Sequence, residues 1–452
     1  MLKGFLSFLL VFVLAAPSGL AAYEPTVNET ALLSKIEQDT FQYFLRLTNK
    51  TTGLTRDSSR PGSPCSVAAT GFAIAAFAIA GSRGWLEQDY AYERILTTLN
   101  TMKKKAEHKN GFFYHFVDVR TAKRVWSSEA SSIDTALFFA GALLAAQYYP
   151  GTEVETIARE LYERADWKWM MNGSKFICMG WTPESNFLPY YWDSYSELMV
   201  LVALAVGSPT KPAPPEAWHA WLRPEGNYEG HRVIYCSSGS LFTYQFSHAF
   251  IDFRGLLDQG NDFFENSTSA TLANRDFSLS FQGKFRGYSE NSWGLSASLG
   301  PGGYKAYGAK PGGAIHDGTI APYAAVSSIV FTPELSVKAT KFFFENYQKD
   351  LYGDYGFKDA FNLDKQWWAE EYLGIDQGIT LLMLENYLNH EAVWKKFMQL
   401  EPIRQWIRLA DLGPVEPLPE ATLAEEGEVE TDSVRQKIKL ADLKELKPTG
   451  MV

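Results

Sequence analysis

The chain has 452 residues, 46% of them hydrophobic and 15% aromatic, with 13 Trp and a formal net charge of −10. That acidic balance, with Lys103–Lys105 as a lone cationic run, argues against nucleic acid as a partner. Cys65, Cys178 and Cys236 have no zinc spacing and allow at most one disulfide.

In chain order, Met1-Leu2-Lys3 leads into an apolar run from Phe5 to Ala16, followed by the small residues Gly19, Ala21 and Ala22. This pattern predicts a secretory signal over 1–22, with cleavage near Ala22 and a secreted or periplasmic product. Its apolar core is too short to span a bilayer. Asn28, Asn49, Asn172 and Asn266 begin Asn-x-Ser/Thr motifs, which are glycan acceptors only in a eukaryotic source.

Apolar residues at helical spacing predict a helix from Leu32 to Leu47. Ser66 to Ala80 and Ile133 to Tyr149 are apolar on all sides, as in helices buried on every face. Further helices are expected over Tyr90–Lys105, Val154–Met171, Ser194–Val206, Leu335–Tyr347, Gly378–Leu388 and Glu391–Phe397. Strand-like pieces fall at Gly111–Phe116 and Lys284–Tyr288. Alternating all-apolar and amphipathic helices fit an all-α toroid of helical hairpins over 23–412, with an inner ring buried by an outer one. From 413 to 452 the chain turns Pro- and Glu-rich and reads as a disordered extension.

Three blocks set carboxylates among aromatic and hydroxyl residues: Trp126 to Leu137, Tyr190 to Met199 and Trp367 to Gly378. Aromatic faces stack on sugar rings, and carboxylates grip hydroxyls or move protons. An unpaired core carboxylate would be costly, so the blocks point to carbohydrate chemistry. Glu197, following Tyr190, Tyr191, Trp192 and Tyr195, is the candidate general acid, because partial desolvation raises a carboxyl pKa. The alternative is a glutamate on a solvent-facing helix surface.

Asp376, between Gly374 and Gly378, is the candidate base, expected to stay ionised in a polar loop; an ordinary helix cap would look the same. Glu129 is the third catalytic candidate, near a helix start that Ser127 or Ser128 would cap, where the dipole favours the ionised form. Asp134 and Asp193 are candidate hydroxyl binders, and Asp193 is expected one helical turn before Glu197. Glu371 joins the substrate-binding set, with Tyr195. Trp192, Phe246, Trp293 and Trp367 are candidate stacking faces, each also plausible as core. Gln245 and Arg275 are candidates for holding hydroxyls. His316 and Asp317 follow a glycine-rich rim loop, Gly300 to Gly308, which lacks the phosphate-loop Lys-Ser/Thr. The seven His form no recognisable ligand motif, so no metal or other cofactor is expected.

The chain resembles the glycoamylase-like domain family, which includes the bacterial endo-β-1,2-glucanases. The matching segments are Glu129 to Leu137, Tyr191 to Glu197, Gln245 to His248, Asn274-Arg275, Trp293 to Ala297, Asp317 to Pro322, Tyr355 to Asn362 and Tyr372 to Gly378. Together they run from about Leu32 to about Ile407. The resemblance implies an (α/α)6 toroid that hydrolyses a glucan, β-1,2-linked in the best-known cases, with inversion in the glucanases and retention in related transglycosylases. A polysaccharide or oligosaccharide substrate, a monomer and no membrane contact after signal removal complete the expectation. The competing classes are a polysaccharide lyase, a transglycosylase and a non-catalytic glycan-binding protein on the same toroid.

Overall fold

The computed structural model describes residues 23–413. The signal reading over 1–22 and nearly all of the charged extension lie outside these residues. Six helices form an inner ring: Val67–Ser82, Ser132–Tyr148, Met199–Val206, Phe246–Phe250, Pro322–Ser327 and Gly374–Leu388. Each follows an outer helix, in order Val27–Leu47, Gln88–Lys104, Glu153–Glu163, Glu216–Ala220, Phe263–Ser280 and Pro333–Leu351. The last inner helix packs back on the first, closing an (α/α)6 toroid.

The two rings differ as their sequences require. Val67–Ser82 buries nearly its whole circumference, while Val27–Leu47 buries one stripe that includes Leu33, Ile36, Phe41 and Phe44. Inner helices approach closely where side chains vanish. A methyl group at Gly141 would lie 1.9 Å from the Gly71 carbonyl oxygen, so Val67–Ser82 and Ser132–Tyr148 touch backbone to backbone there.

Short strands precede several inner helices and bind the loops of one face together. Cys65–Ser66 pairs with Phe116–Val117, and Ala130–Ser131 pairs with Gly180–Thr182. Thr319–Ile320 pairs with Phe361–Asn362, which pairs in turn with Trp367–Trp368. Ser66 and Ser131 then cap the helices that follow, each accepting a backbone N–H in the first turn. The N-terminal ends of the inner helices therefore face one mouth of the ring.

Several expected elements differ. The Val154–Met171 helix breaks after Glu163, because Asp166 caps a separate turn, Trp167–Met170. Lys284–Tyr288 is turn rather than strand. The helix Phe263–Ser280 has no apolar period, because its buried face carries Asn266, Ser267, Thr271 and Asn274. These are satisfied by Ile234, His248, Ser267 and Leu295 respectively. Asn266 is thereby excluded as a glycan acceptor. All three cysteines are buried free thiols. Among the described residues no helix is long and apolar enough to cross a membrane.

Candidate active site

Loops and first helical turns bring carboxylates to the mouth from four inner-helix starts. Glu197 lies in the turn just before Met199–Val206, anchored where Ser247 Oγ donates to its carbonyl at 2.9 Å. Its half-buried carboxyl is pushed up to about 7 by burial, with the Asp134 charge adding to the shift. Asp134 occupies the first turn of Ser132–Tyr148 and accepts from Ser131 Oγ at 2.6 Å. Burial raises its pKa, although His115 and Ser131 pull the other way.

Glu129 sits three residues before that helix, and its Oε1 lies 3.0 Å from His115 Nδ1. The cap is Ser131 rather than Ser127 or Ser128. Burial alone would raise the Glu129 pKa, but the hydrogen bond and charge of His115 outweigh it and hold the carboxyl below its usual range. Its ionised state thus comes from an imidazolium, not from a cap. The same imidazole reaches Asp134 Oδ1 at 3.4 Å. Burial works against protonation of His115, yet Asp134 and Glu129 overcome it and raise the pKa to about 9.

The expectation that the histidines join no cluster therefore needs correction. His115, Glu129 and Asp134 place one ligand atom each within 4.8 Å of one another. His115 Nδ1 hydrogen-bonds Glu129 and its Nε2 lies within ion-pair distance of Asp134, an arrangement that works as a charge clamp.

Asp376 is not an ionised loop carboxylate. The helix begins at Gly374, four residues earlier than expected, and turns Asp376 into the interior beside Asp359. Burial and the Asp359 charge hold Asp376 well above the carboxylate range. Burial also raises Asp359, to about 6, despite a hydrogen bond from Asp376 and another from the Leu299 N–H at 2.6 Å. The two carboxyls share a proton, with the charge resting on Asp359 near neutrality. Asp57, pushed up to about 6 by burial, faces His115, Asp134 and Glu371. Glu371 is tied to Arg60 at 2.6 Å.

The other predicted binding residues divide sharply. Tyr195, Phe246 and Trp293 are core: Tyr195 packs on Tyr244 and Phe263, Phe246 on Phe72, and Trp293 is fully buried. Gln245 is also interior, its amide donating to the Ala324 carbonyl and Ser328 Oγ. Trp192 is nearly covered and donates its indole N–H to Ser132 Oγ, bracing the Glu197 segment instead of offering a face. Asp193 is exposed and lies in extended chain, since the helix starts only at Met199. Arg275 is occupied by the Glu290 carbonyl and Asp276. His316 is enclosed by Phe277, Phe281, Phe285 and Tyr288. Asp317 is spent on Thr319 and Tyr307. Trp367 alone of the four stacking candidates keeps clear solvent access.

The open aromatic faces are not the residues named for stacking: two head the blocks read from the sequence and the third lies in the rim loop. Trp126, Tyr190 and Tyr304 are 70%, 63% and 54% exposed. Trp126 and Ser127 both adopt left-handed backbone, φ 57° and 54°, a strained pair that holds the indole outward. Trp126 packs on Phe116, which stacks on His115 at 3.9 Å. Tyr304 hangs from the hairpin Ala297–Ser298 and Lys305–Ala306, the expected rim loop. Its ring stays open to solvent while its hydroxyl end is enclosed, and that enclosure, then the charges of Asp376, Asp359, Asp57 and Glu197, raises the hydroxyl above the tyrosine range.

Residues 189–401 match the glycoamylase family model, described as "Putative glucoamylase". A curated exo-β-1,2-glucooligosaccharide sophorohydrolase of Parabacteroides distasonis is 27% identical over 424 residues, covering 84% of this chain. The chain spans 58% of that relative's length. A solved Bacteroides uniformis structure carrying the same glucoamylase description is 29% identical, with a TM-score of 0.81 over 86% of this chain and 98% of its own. The endo-β-1,2-glucanase of Chitinophaga pinensis, solved with sophorotriose and glucose, is 26% identical, with a TM-score of 0.80 over 86% of this chain and 99% of its own.

Proposed function

For a chain that is glycoamylase-like in sequence and in fold, we propose hydrolysis of a glucan, β-1,2-linked, by a two-carboxylate acid/base mechanism. The observation that carries this reading is the pairing of opposite protonation states in one aromatic-rimmed mouth: Glu197 protonated up to about pH 7, Glu129 ionised below the usual glutamate range. A glycosidase needs one carboxyl of each kind. The named activities of the similar proteins support the linkage.

In this mechanism Glu197 gives its proton to the glycosidic oxygen as the bond to the anomeric carbon breaks. Glu129 takes a proton from the water that attacks that carbon, and the configuration inverts. His115 holds Glu129 ionised and oriented. The Asp359–Asp376 pair and Tyr304 grip sugar hydroxyls, and Trp126 and Tyr190 stack on neighbouring rings. Asp359 is the rival base, because the negative charge of its pair with Asp376 rests on it. Export through the 1–22 segment would bring the enzyme to extracellular or periplasmic glucan.

A panel of β-1,2, β-1,3, β-1,4, β-1,6 and α-1,4 glucans, with products resolved by thin-layer chromatography, tests the reading. Short β-1,2 oligosaccharides from the first polymer alone are expected, and a disaccharide as sole product would mark exo action. Release from another polymer would move the substrate, and an ultraviolet-absorbing unsaturated product would replace hydrolysis with a lyase.

A further inference from the structure

Beside the mouth lies a groove of about 840 Å³, of whose lining the mechanism above uses Trp126 alone. Four cations line it, Arg46, Lys50, Arg56 and Arg120, against a single carboxylate, Asp118. On a chain of net charge −10 this is a marked local reversal of sign. Asp118 is committed elsewhere, accepting from the backbone N–H groups of Arg120 and Thr121 and from the Thr121 hydroxyl. Arg46 reaches Asp354 at 3.2 Å, whereas Lys50, Arg56 and Arg120 form no ion pair among the described residues. Arg56 is the telling one. Its side chain is half-buried, yet none of its guanidinium donors is taken by the described protein. A guanidinium with free, water-accessible donors, flanked by further cations, is well placed to take an oxyanion.

Trp126 is the residue the groove shares with the sugar site. Arg56 bridges Cys65 in antiparallel fashion, and the chain bends at Asp57 before Ser58 bridges Leu373. Arg56 lines the groove, and Asp57 beside it feels the charges of His115 and Asp134 in the cleft. Trp126, held outward by its strained backbone, lines the groove and packs through Phe116 toward His115. A glycan stacked on that indole would lie with one sugar toward Glu129 and the next over the cations.

We propose that this groove is a subsite for anionic substituents, carboxylate or phosphate ester groups carried on the glucan chain, with Arg56 as the main contact and Trp126 as the step between groove and cleft. The proposal rests on the glucan reading and adds a charge preference to it. Positive potential in a groove concentrates an anionic ligand, and salt weakens the effect.

The test is calorimetric binding to the full-length Glu197→Gln protein, which keeps substrate intact. The probes are a β-1,2-glucooligosaccharide, the same oligosaccharide carrying succinyl half-esters, and free succinate. The succinylated sugar should bind about tenfold tighter than the neutral one in low salt and lose that advantage near about 1 M salt. Arg56→Gln, and separately the exposed pair Lys50→Gln with Arg120→Gln, should erase the gain while neutral binding holds. Equal affinity for the two sugars, or a preference that survives both sets of substitutions, would overturn the subsite and leave the hydrolase reading standing. Free succinate binding as tightly as the ester would show an anion site unrelated to the glycan, which also overturns it. Binding of neither sugar would sink the subsite together with the glucan reading.

Discussion

Glu197 and Glu129 have the same side chain and opposite protonation, and the difference lies in what stands beside each. Glu197 meets burial and another acid, so its proton is retained up to about pH 7. Glu129 meets an imidazolium, so its proton is lost early. The sign of the pH dependence follows. Under the proposed mechanism activity needs Glu197 protonated and should fall as pH rises through about 7; it needs Glu129 ionised and should fall only below the ordinary glutamate range. Glu197→Gln should lower kcat by at least about two decades, and His115→Gln should move the acidic limb to higher pH by releasing Glu129. Steady-state kcat across pH reads both, and an unmoved acidic limb in the His115 variant would remove the clamp from the mechanism. Glu197 was legible in sequence because aromatic neighbours announce desolvation locally. His115, Asp57, Asp359 and Tyr304 were not, since each is a single residue in an unremarkable loop whose partners arrive from distant segments. Tyr195, Phe246 and Trp293 were misread for a related reason: an aromatic residue looks alike in sequence whether its face meets a sugar or another ring.

Among the elements, the inner helices hold the site by close approach rather than by bulk. Gly71 and Gly141 let Val67–Ser82 and Ser132–Tyr148 meet backbone to backbone, and the second of these helices carries Asp134 in its first turn. A methyl group at 141 has no flexible neighbour to displace, so Gly141→Ala should destabilise the fold by about 3 kcal/mol or more. Denaturant unfolding would report it, and a midpoint within error of wild type would show that the helices can separate freely. The periodicity of these helices was visible because their buried faces are hydrocarbon. The Phe263–Ser280 helix was invisible because its buried face is amide and hydroxyl, each group paired with a loop or helix it supports. The start of Gly374–Leu388 was misjudged for want of a side-chain cap: Leu373 precedes it, and no Ser, Thr, Asp or Asn marks the entry. That four-residue error placed a buried helical carboxyl in a polar loop.

Across the whole molecule, raised carboxyl pKa values occur at both ends of the ring, and they couple stability to pH. At the mouth stand Asp359 and Asp376. At the opposite end, Glu37 of the first outer helix is buried against Glu385, near the close of the last inner one. Burial, then the Glu385 charge, holds Glu37 well above the glutamate range, although Arg83 opposes the shift. Glu385 itself accepts from Arg83 at 2.8 Å and from Asn389 at 2.7 Å, so its charge is compensated and Glu37 keeps the proton. A carboxyl with a raised folded pKa favours the native state most below its unfolded value, about 4.3 for a glutamate. The unfolded chain gains by ionising as pH rises from there, so the contribution shrinks until the folded pKa is reached. Glu37→Gln keeps the hydrogen bond to Glu385 and removes the titration. Its melting temperature should match wild type near pH 4 and exceed it progressively toward pH 8, while glucan cleavage at the far mouth is unchanged. A melting difference that is flat with pH would mean that Glu37 is already ionised in the folded protein, with Arg83 serving both glutamates.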